Sequence, residues 1–386
     1  MKRALAVAVV LGCLFLLVRL VVPSIVERRQ NHVLQSGPYQ ASAEAEALHR
    51  TLLVADLHAD TLLWGRNLLE PSRAGNIDLP RMLAGNVGLQ AFTVVSTVPR
   101  KLNIDRNDDS TDLLPYLGMV QGWPLKALTS PKQRALYQAR RMQQFVDKSN
   151  GALLLLRTRG DLANFLKLRA GGSRVIAVFL GTEGAQPLEG RLENLDALFA
   201  AGFRMMAPTH FTDTAIGGSA AGVEKGGLTP LGREWVKQME DRGMVIDLAH
   251  ASPATLRDVA AMVTKPVVVS HAGVKGTCDN NRNLSDDQLR AVAATGGVIG
   301  VGFWDVATCG QDAQAIARAI RYAVGVIGAE HVALGSDFDG AVPEPFDSSG
   351  LALITEALLQ QGVSEHDIRL IMGDNVARVL SQTLPE

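Results

Sequence analysis

Four histidines sit where an apolar run stops, in Leu57-His58-Ala59-Asp60, Pro208-Thr209-His210, Leu248-Ala249-His250 and Ser270-His271. Two further runs end in carboxylates, at Gly181-Thr182-Glu183 and Gly335-Ser336-Asp337. The His-x-Asp spacing sends His58 and Asp60 to one side of an extended chain, because side chains two apart share a face. Imidazoles mixed with carboxylates suit zinc, and manganese or cobalt can use the same donors. His58, Asp60, Glu183, His250 and His271 are more ligands than one open catalytic zinc requires. Two ions sharing Glu183 would use all five, with His58 and Asp60 on one ion and His250 and His271 on the other. A water held between such ions loses a proton near neutral pH and attacks a polarised carbonyl, so the expected chemistry is metal-dependent hydrolysis. The other histidines, His32, His49, His331 and His366, fall in a stalk, helices or a loop, where solvent exposure is the simple account.

Something must bring these residues to one place. Eight short runs rich in Val and Ile read as strands buried on both faces: Leu53–His58, Val87–Val95, Val175–Gly181, Arg204–Thr209, Val245–His250, Val267–His271, Val298–Phe303 and Val332–Asp337. Between them lie stretches of helical period at Leu192–Ala201, Pro230–Arg242, Pro253–Val263, Ser285–Ala294 and Asp312–Ile327. Ser252-Pro253 and Thr229-Pro230 place a capping hydroxyl before a first-turn proline. Strands alternating with helices mean a parallel sheet, and eight such units predict an α/β fold of the (β/α)8 TIM-barrel type. In that fold catalytic groups gather at the carboxyl ends of the strands. The segment at about 100–170 is too long for one barrel connection and reads as an insertion with helices near Pro131–Lys148 and Asp161–Leu168. Two closing helices are expected at Gly350–Gln361 and Glu365–Leu380, which makes 40–384 a single catalytic domain.

The 386 residues are 47% apolar and carry a formal charge of −1, with both signs interspersed. The basic face of a nucleic-acid binder is missing, so no nucleic-acid partner is expected. Residues 1–30 differ from the rest. Lys2 and Arg3 precede an apolar stretch from Ala4 to Val22, broken only by Arg19, which reads as an export or anchor signal long enough to cross a bilayer. An uncleaved membrane anchor is favoured over a removed signal, because Ala41-Ser42-Ala43, the nearest small-x-small site, lies far beyond the stretch. Val26 to Tyr39 would then be a polar stalk, with the catalytic domain outside the cytoplasm, as in a bacterial periplasm. An exported chain could pair Cys278 and Cys309, both just beyond strands; two free thiols are the alternative.

Several stretches resemble one known family. They are Asp56-Leu57-His58-Ala59-Asp60, Gly181-Thr182-Glu183-Gly184, Pro208-Thr209-His210, Ile246-Asp247-Leu248-Ala249-His250-Ala251-Ser252, Ser270-His271, Arg282-Asn283 and Gly335-Ser336-Asp337-Phe338-Asp339-Gly340. Over nearly the whole chain after residue 50 they resemble the membrane dipeptidases, peptidase family M19. The resemblance implies a dipeptide substrate and two zinc ions per chain, held by His58, Asp60, Glu183 as the bridge, His250 and His271. It implies that His210 and Arg282 bind substrate, that Asp337 contacts substrate and moves protons, that Cys278 and Cys309 form a disulfide, and that the chain can form a homodimer. Leu57 and Ala59 replace a glycine and an asparagine common in the mammalian first motif, and Ala185 replaces a glycine; none of these removes a ligand, but all bear on pocket shape.

In this reading His210 donates to the developing oxyanion, Arg282 forks onto the terminal carboxylate, and Asp337 carries a proton from water to the leaving amine. From the residues alone Arg282 reads as a solvated loop arginine, and Asp339 competes with Asp337. Asp56 and Asp247 are expected behind the ligands, orienting imidazoles. Two other functions fit the same elements: hydrolysis of a cyclic amide or lactam, and an exported binding protein without turnover.

Overall fold

Aliphatic runs without polar alternation form strands covered on both faces. The computed structural model describes Arg19 and residues 21–386. Its strands are β1 (Val54–Asp56), β2 (Val87–Val95), β3 (Leu153–Leu155), β4 (Ile176–Glu183), β5 (Phe203–Met206), β6 (Val245–Ile246), β7 (Val268–Ala272), β8 (Val298–Val301) and β9 (Val332–Leu334). Every pairing is parallel. Each of the eight expected runs supplies one strand, and β3 is an addition from the insertion.

Neighbouring strands run in the order β6-β5-β4-β2-β1-β9-β8-β7, so the sheet curls until its first strand lies beside its last. The two ends of this path meet at one backbone bridge, Asp247 with Val268, where Leu248 N donates to Val268 O at 2.7 Å. On β4, β2 takes one whole edge; β3 pairs along Ile176–Val178 of the other, and β5 takes over from Leu180. The insertion is thus stitched into the strand that carries Glu183. Around it lie the helices Leu114–Gln121, Pro131–Lys148 and Arg159–Ala170, the last opened by a reciprocal cap between Thr158 and Asp161.

Inside the curl, Leu89, Phe179, Met205, Val268 and Ala333 meet in one cluster with Val376, Val379 and Leu380 of the final helix, Asn375–Thr383. That helix closes the end where the strands begin. The outer sheet face packs under the helices, for example on Trp235, Val236 and Met239 of Pro230–Asp241. The tail is three helical pieces rather than the two expected. Its break falls at Gly373, which passes so close to Leu53 that a Cβ would lie 2.0 Å from the carbonyl oxygen.

Two expectations are corrected here. His49 is buried, not solvated: Nδ1 lies 2.9 Å from Thr355 Oγ1 and Nε2 3.0 Å from Gly85 O, which ties Ala43–His49 to Ala352–Gln360. The expected stalk is not a solvated tether, since residues 21–30 are helical and Glu27 and Asn31 are buried against the body. The expected anchor, Ala4 to Val22, lies almost wholly outside the described residues, among which no helix is long and apolar enough to cross a membrane.

Candidate active site

The strand ends deliver the polar residues, by two routes. Glu183 is the last residue of β4, opposite Val95, and His271 lies within β7. The others sit past shorter strands than expected: His58 and Asp60 follow β1, His210 follows β5 and His250 follows β6 by four residues. Ala59 bridges to Phe338, which keeps the His58–Asp60 segment alongside the chain carrying Asp337. His250 and Asp337 take left-handed backbone, at φ 62° and 68°. A residue with a Cβ holds that conformation at a cost of about 1–3 kcal/mol, which neighbouring structure must impose, and such residues concentrate at functional sites.

All these side chains converge on Glu183. Its Oε1 lies 2.9 Å from His250 Nε2, 3.3 Å from His210 Nε2, 3.4 Å from His271 Nε2 and 3.6 Å from His58 Nε2. His250 and His271 approach to 3.0 Å between their Nε2 atoms. Asp60 and Asp337 stand 3.5 Å and 3.8 Å from His58 Nε2. Three sets have ligand atoms within 4.8 Å of one another: His58, Glu183 and His271; Glu183, His210 and His250; His58, Asp60 and Asp337. The five expected ligands are therefore together, and His210 and Asp337 lie within ligand distance as well. His58 belongs to two of these sets, one with His271 and one with Asp60.

The electrostatics of this cluster favour a cation at its centre. Burial, then the neighbouring Asp60 and Asp337, push the Glu183 carboxyl far above its ordinary range despite His58. Burial and Asp60 raise Asp337 to about 7 against the pull of His58. Burial opposes a charge on His58, yet Glu183, Asp60 and Asp337 outweigh it and raise that imidazole to about 10. Burial with the positive charge of His58 and Arg282 holds His210, His250 and His271 well below their usual pKa, as the neutral form that coordinates metal. Glu183 Oε2 is buried without a hydrogen-bond partner, a costly state for a carboxylate oxygen. These neutral imidazoles and an unsatisfied carboxylate oxygen fit a site for divalent metal.

Supporting contacts include several that the sequence did not reveal. Ser270 Oγ lies 3.1 Å from His58 Nδ1 and 3.0 Å from His271 Nδ1, so a single hydroxyl oxygen can accept from both rings and leave both Nε2 lone pairs facing the centre. Thr93 Oγ1 donates to Asp60 Oδ1 at 2.7 Å and lies 3.1 Å from His58 Nε2. Asp56 and Asp247 do not orient imidazoles, contrary to expectation. Asp56 accepts from Ser336 N at 2.8 Å and Ser336 Oγ at 2.7 Å; Asp247 accepts from Ala249 N at 2.9 Å and Ser270 N at 2.8 Å. Each pins the backbone beside a ligand. Of the competing pair, Asp337 faces the cavity, whereas Asp339 is turned into a web with Thr61, Arg66 and Asn76.

A cavity of about 290 Å³ opens over Glu183, His210, His250, His271 and Asp337. Arg282 lines it instead of projecting into solvent: Nη2 donates to His271 O at 2.8 Å, and the guanidinium carbon stands 5.5 Å from the Trp304 ring centroid. Much of the remaining wall is apolar, with Leu63, Val95, Phe211, Trp304 and Val342. Cys278 and Cys309 are disulfide-bonded, which links the loop before Arg282 to the short helix Asp305–Thr308.

Comparison with known proteins gives the family and the fold. A Schizosaccharomyces pombe protein described as an uncharacterised dipeptidase is 28% identical over 329 residues, covering 81% of this chain and 74% of the relative. Among solved structures, dipeptidase AC, a metallopeptidase of family M19, superposes with a TM-score of 0.73 at 23% identity, covering 87% of this chain and 100% of that one. A Rhodobacter sphaeroides metallopeptidase superposes at 0.71 and 23%, covering 86% and 99%. The family model for membrane dipeptidase, peptidase family M19, matches residues 42–384. With nearly the whole folded body so matched, the chain belongs to the membrane dipeptidase family, peptidase family M19.

Proposed function

We propose that this enzyme hydrolyses the peptide bond of dipeptides, using two zinc ions held by His58, Asp60, Glu183, His250 and His271 with Glu183 between them. The observation that carries this reading is Glu183 itself, one oxygen within 3.6 Å of four imidazole nitrogens and the other buried without a partner. Divalent ions bound there would polarise the scissile carbonyl and lower the pKa of a water. The side chains supply the rest. Arg282, one arm already anchored to His271 O, presents its remaining donors to the substrate's terminal carboxylate. His210, a neutral imidazole, donates to the oxygen on which charge builds. Asp337 takes the proton of the attacking water and returns it to the leaving amine. The apolar wall suits dipeptides with uncharged side chains, and the Rhodobacter relative, crystallised with a phosphinate mimic of L-Ala-D-Ala, supports a dipeptide as substrate.

We take the curled sheet to be a closed (β/α)8 barrel on the strength of the Asp247–Val268 bridge and the shared interior cluster. We also take the apolar N-terminal stretch to be an export or anchor signal, a reading supported by the disulfide, which persists in oxidising compartments. Hydrolysis of L-Ala-D-Ala by the purified protein should vanish on chelation and return with added zinc. The carboxyl amide of the same dipeptide should be a poor substrate for wild type, and Arg282→Ala should remove that preference. Turnover indifferent to chelator, or a preference that survives Arg282→Ala, would contradict the proposal.

A further inference from the structure

The loop after β9 passes through three left-handed residues in five, Asp337, Asp339 and Ala341, at φ 68°, 63° and 63°. A backbone of this kind persists only where neighbours fix it. Some of those neighbours belong to the body. The Asp339 carboxylate accepts from Thr61 Oγ1 at 2.6 Å, from Asn76 N at 2.6 Å and from Arg66, while Trp64 Nε1 donates to Asp339 O at 2.7 Å.

The others come from residues 27–35, the segment expected to be a stalk. Ala341 N donates to Asn31 Oδ1 at 2.8 Å, and Glu344 N to His32 O at 3.0 Å. Leu34 N donates to Glu344 O at 2.8 Å and Gln35 N to Pro345 O at 3.1 Å, with Val33 in parallel register with Glu344. Glu27 and Asn31 are four residues apart and so share a helix face; they are 4% and 2% exposed. Arg66 Nε donates to Glu27 Oε1 at 2.6 Å while the same guanidinium holds Asp339. The loop fixed in this way carries Asp337 and contributes Gly340, Ala341 and Val342 to the cavity wall.

We infer that Glu27 and Asn31 are positioning residues, which hold the Asp337 loop through Arg66–Asp339 and through Ala341 N from about 300 positions away in the chain. The catalytic consequence rests on the role proposed above for Asp337; the structural one does not.

Two readouts on the full-length protein separate these. In hydrogen exchange, Asn31→Ala and Glu27→Ala should each lower protection across residues 338–345 by about tenfold or more while β2 is unchanged. Glu27→Gln, which keeps an oxygen for Arg66, should leave protection near wild type. Equal protection in all four proteins, or a loss shared equally by β2, overturns the inference whether or not any dipeptide is cleaved. In dipeptide hydrolysis the two alanine variants should lose about tenfold or more in kcat with little change in KM and full metal content, and Glu27→Gln should retain activity. Wild-type kcat in both alanine variants overturns the catalytic part. Should Asn31→Ala fail to fold, the Glu27→Ala and Glu27→Gln pair decides the matter by the same criteria.

Discussion

The Ser270 hydroxyl faces two imidazoles at once, 3.1 Å from His58 Nδ1 and 3.0 Å from His271 Nδ1. A ring fastened at Nδ1 keeps Nε2 aimed and basic, so losing the fastening frees two donors together. On the proposed zinc site, Ser270→Ala should therefore weaken metal binding by about 10–100-fold, measured by titration against a competing chelator, with the fold retained. Affinity equal to wild type would remove Ser270 from the site. The imidazoles and carboxylates were legible in the sequence because such residues are conspicuous at the ends of apolar runs. Ser270 and Thr93 were not, because a small hydroxyl inside a strand carries no signal of its own until its partner is known. That Asp56 and Asp247 hold backbone is not legible for the complementary reason: closeness in sequence to a histidine says nothing about whether a carboxylate meets its ring or the backbone beside it.

At the scale of elements, strand starts were easier to read than strand ends. The run Val245–His250 was expected to be one strand, but β6 stops at Ile246. Beyond it Asp247 N turns to Met206 O, Leu248 N turns to Val268 O and His250 goes left-handed, none of which alters the pattern of apolar residues. β3 is not legible because four leucines, Leu153 to Leu156, are too short a run to read alone; the first three become a strand through the edge of β4 that β5 leaves open. The loop holding Arg282 is fastened by the Cys278–Cys309 disulfide, which closes a 31-residue separation. Replacing both cysteines with serine should cost about 3–4 kcal/mol in denaturant unfolding on the loop-entropy account. On the roles proposed above, it should raise KM for dipeptides more than it lowers kcat, since Arg282 loosens while the proposed metal ligands stand on other segments. A larger effect on kcat than on KM would show that the loop serves the chemistry and not the clamp.

Taken as a whole, the molecule keeps its chemistry at one end of the curled sheet and its closure at the other. Leu380 is buried where the final helix plugs the beginnings of the strands, so Leu380→Ala should destabilise the protein by about 2–5 kcal/mol while kcat/KM per folded molecule stays at wild type. A fall in kcat/KM at full folding would show that the two ends are coupled. Sequence and space are also far apart at Asp56, whose carboxylate is gripped by Ser336, 280 residues further on. During synthesis His58 emerges early, yet the segment that steadies its strand comes from far along the chain. A nascent chain halted before that point would contain every imidazole of the centre but lack both the keeper of Asp56 and the loop bearing Asp337. The full set of contacts that steadies the cluster thereby arrives only with the segment that bears Ser336.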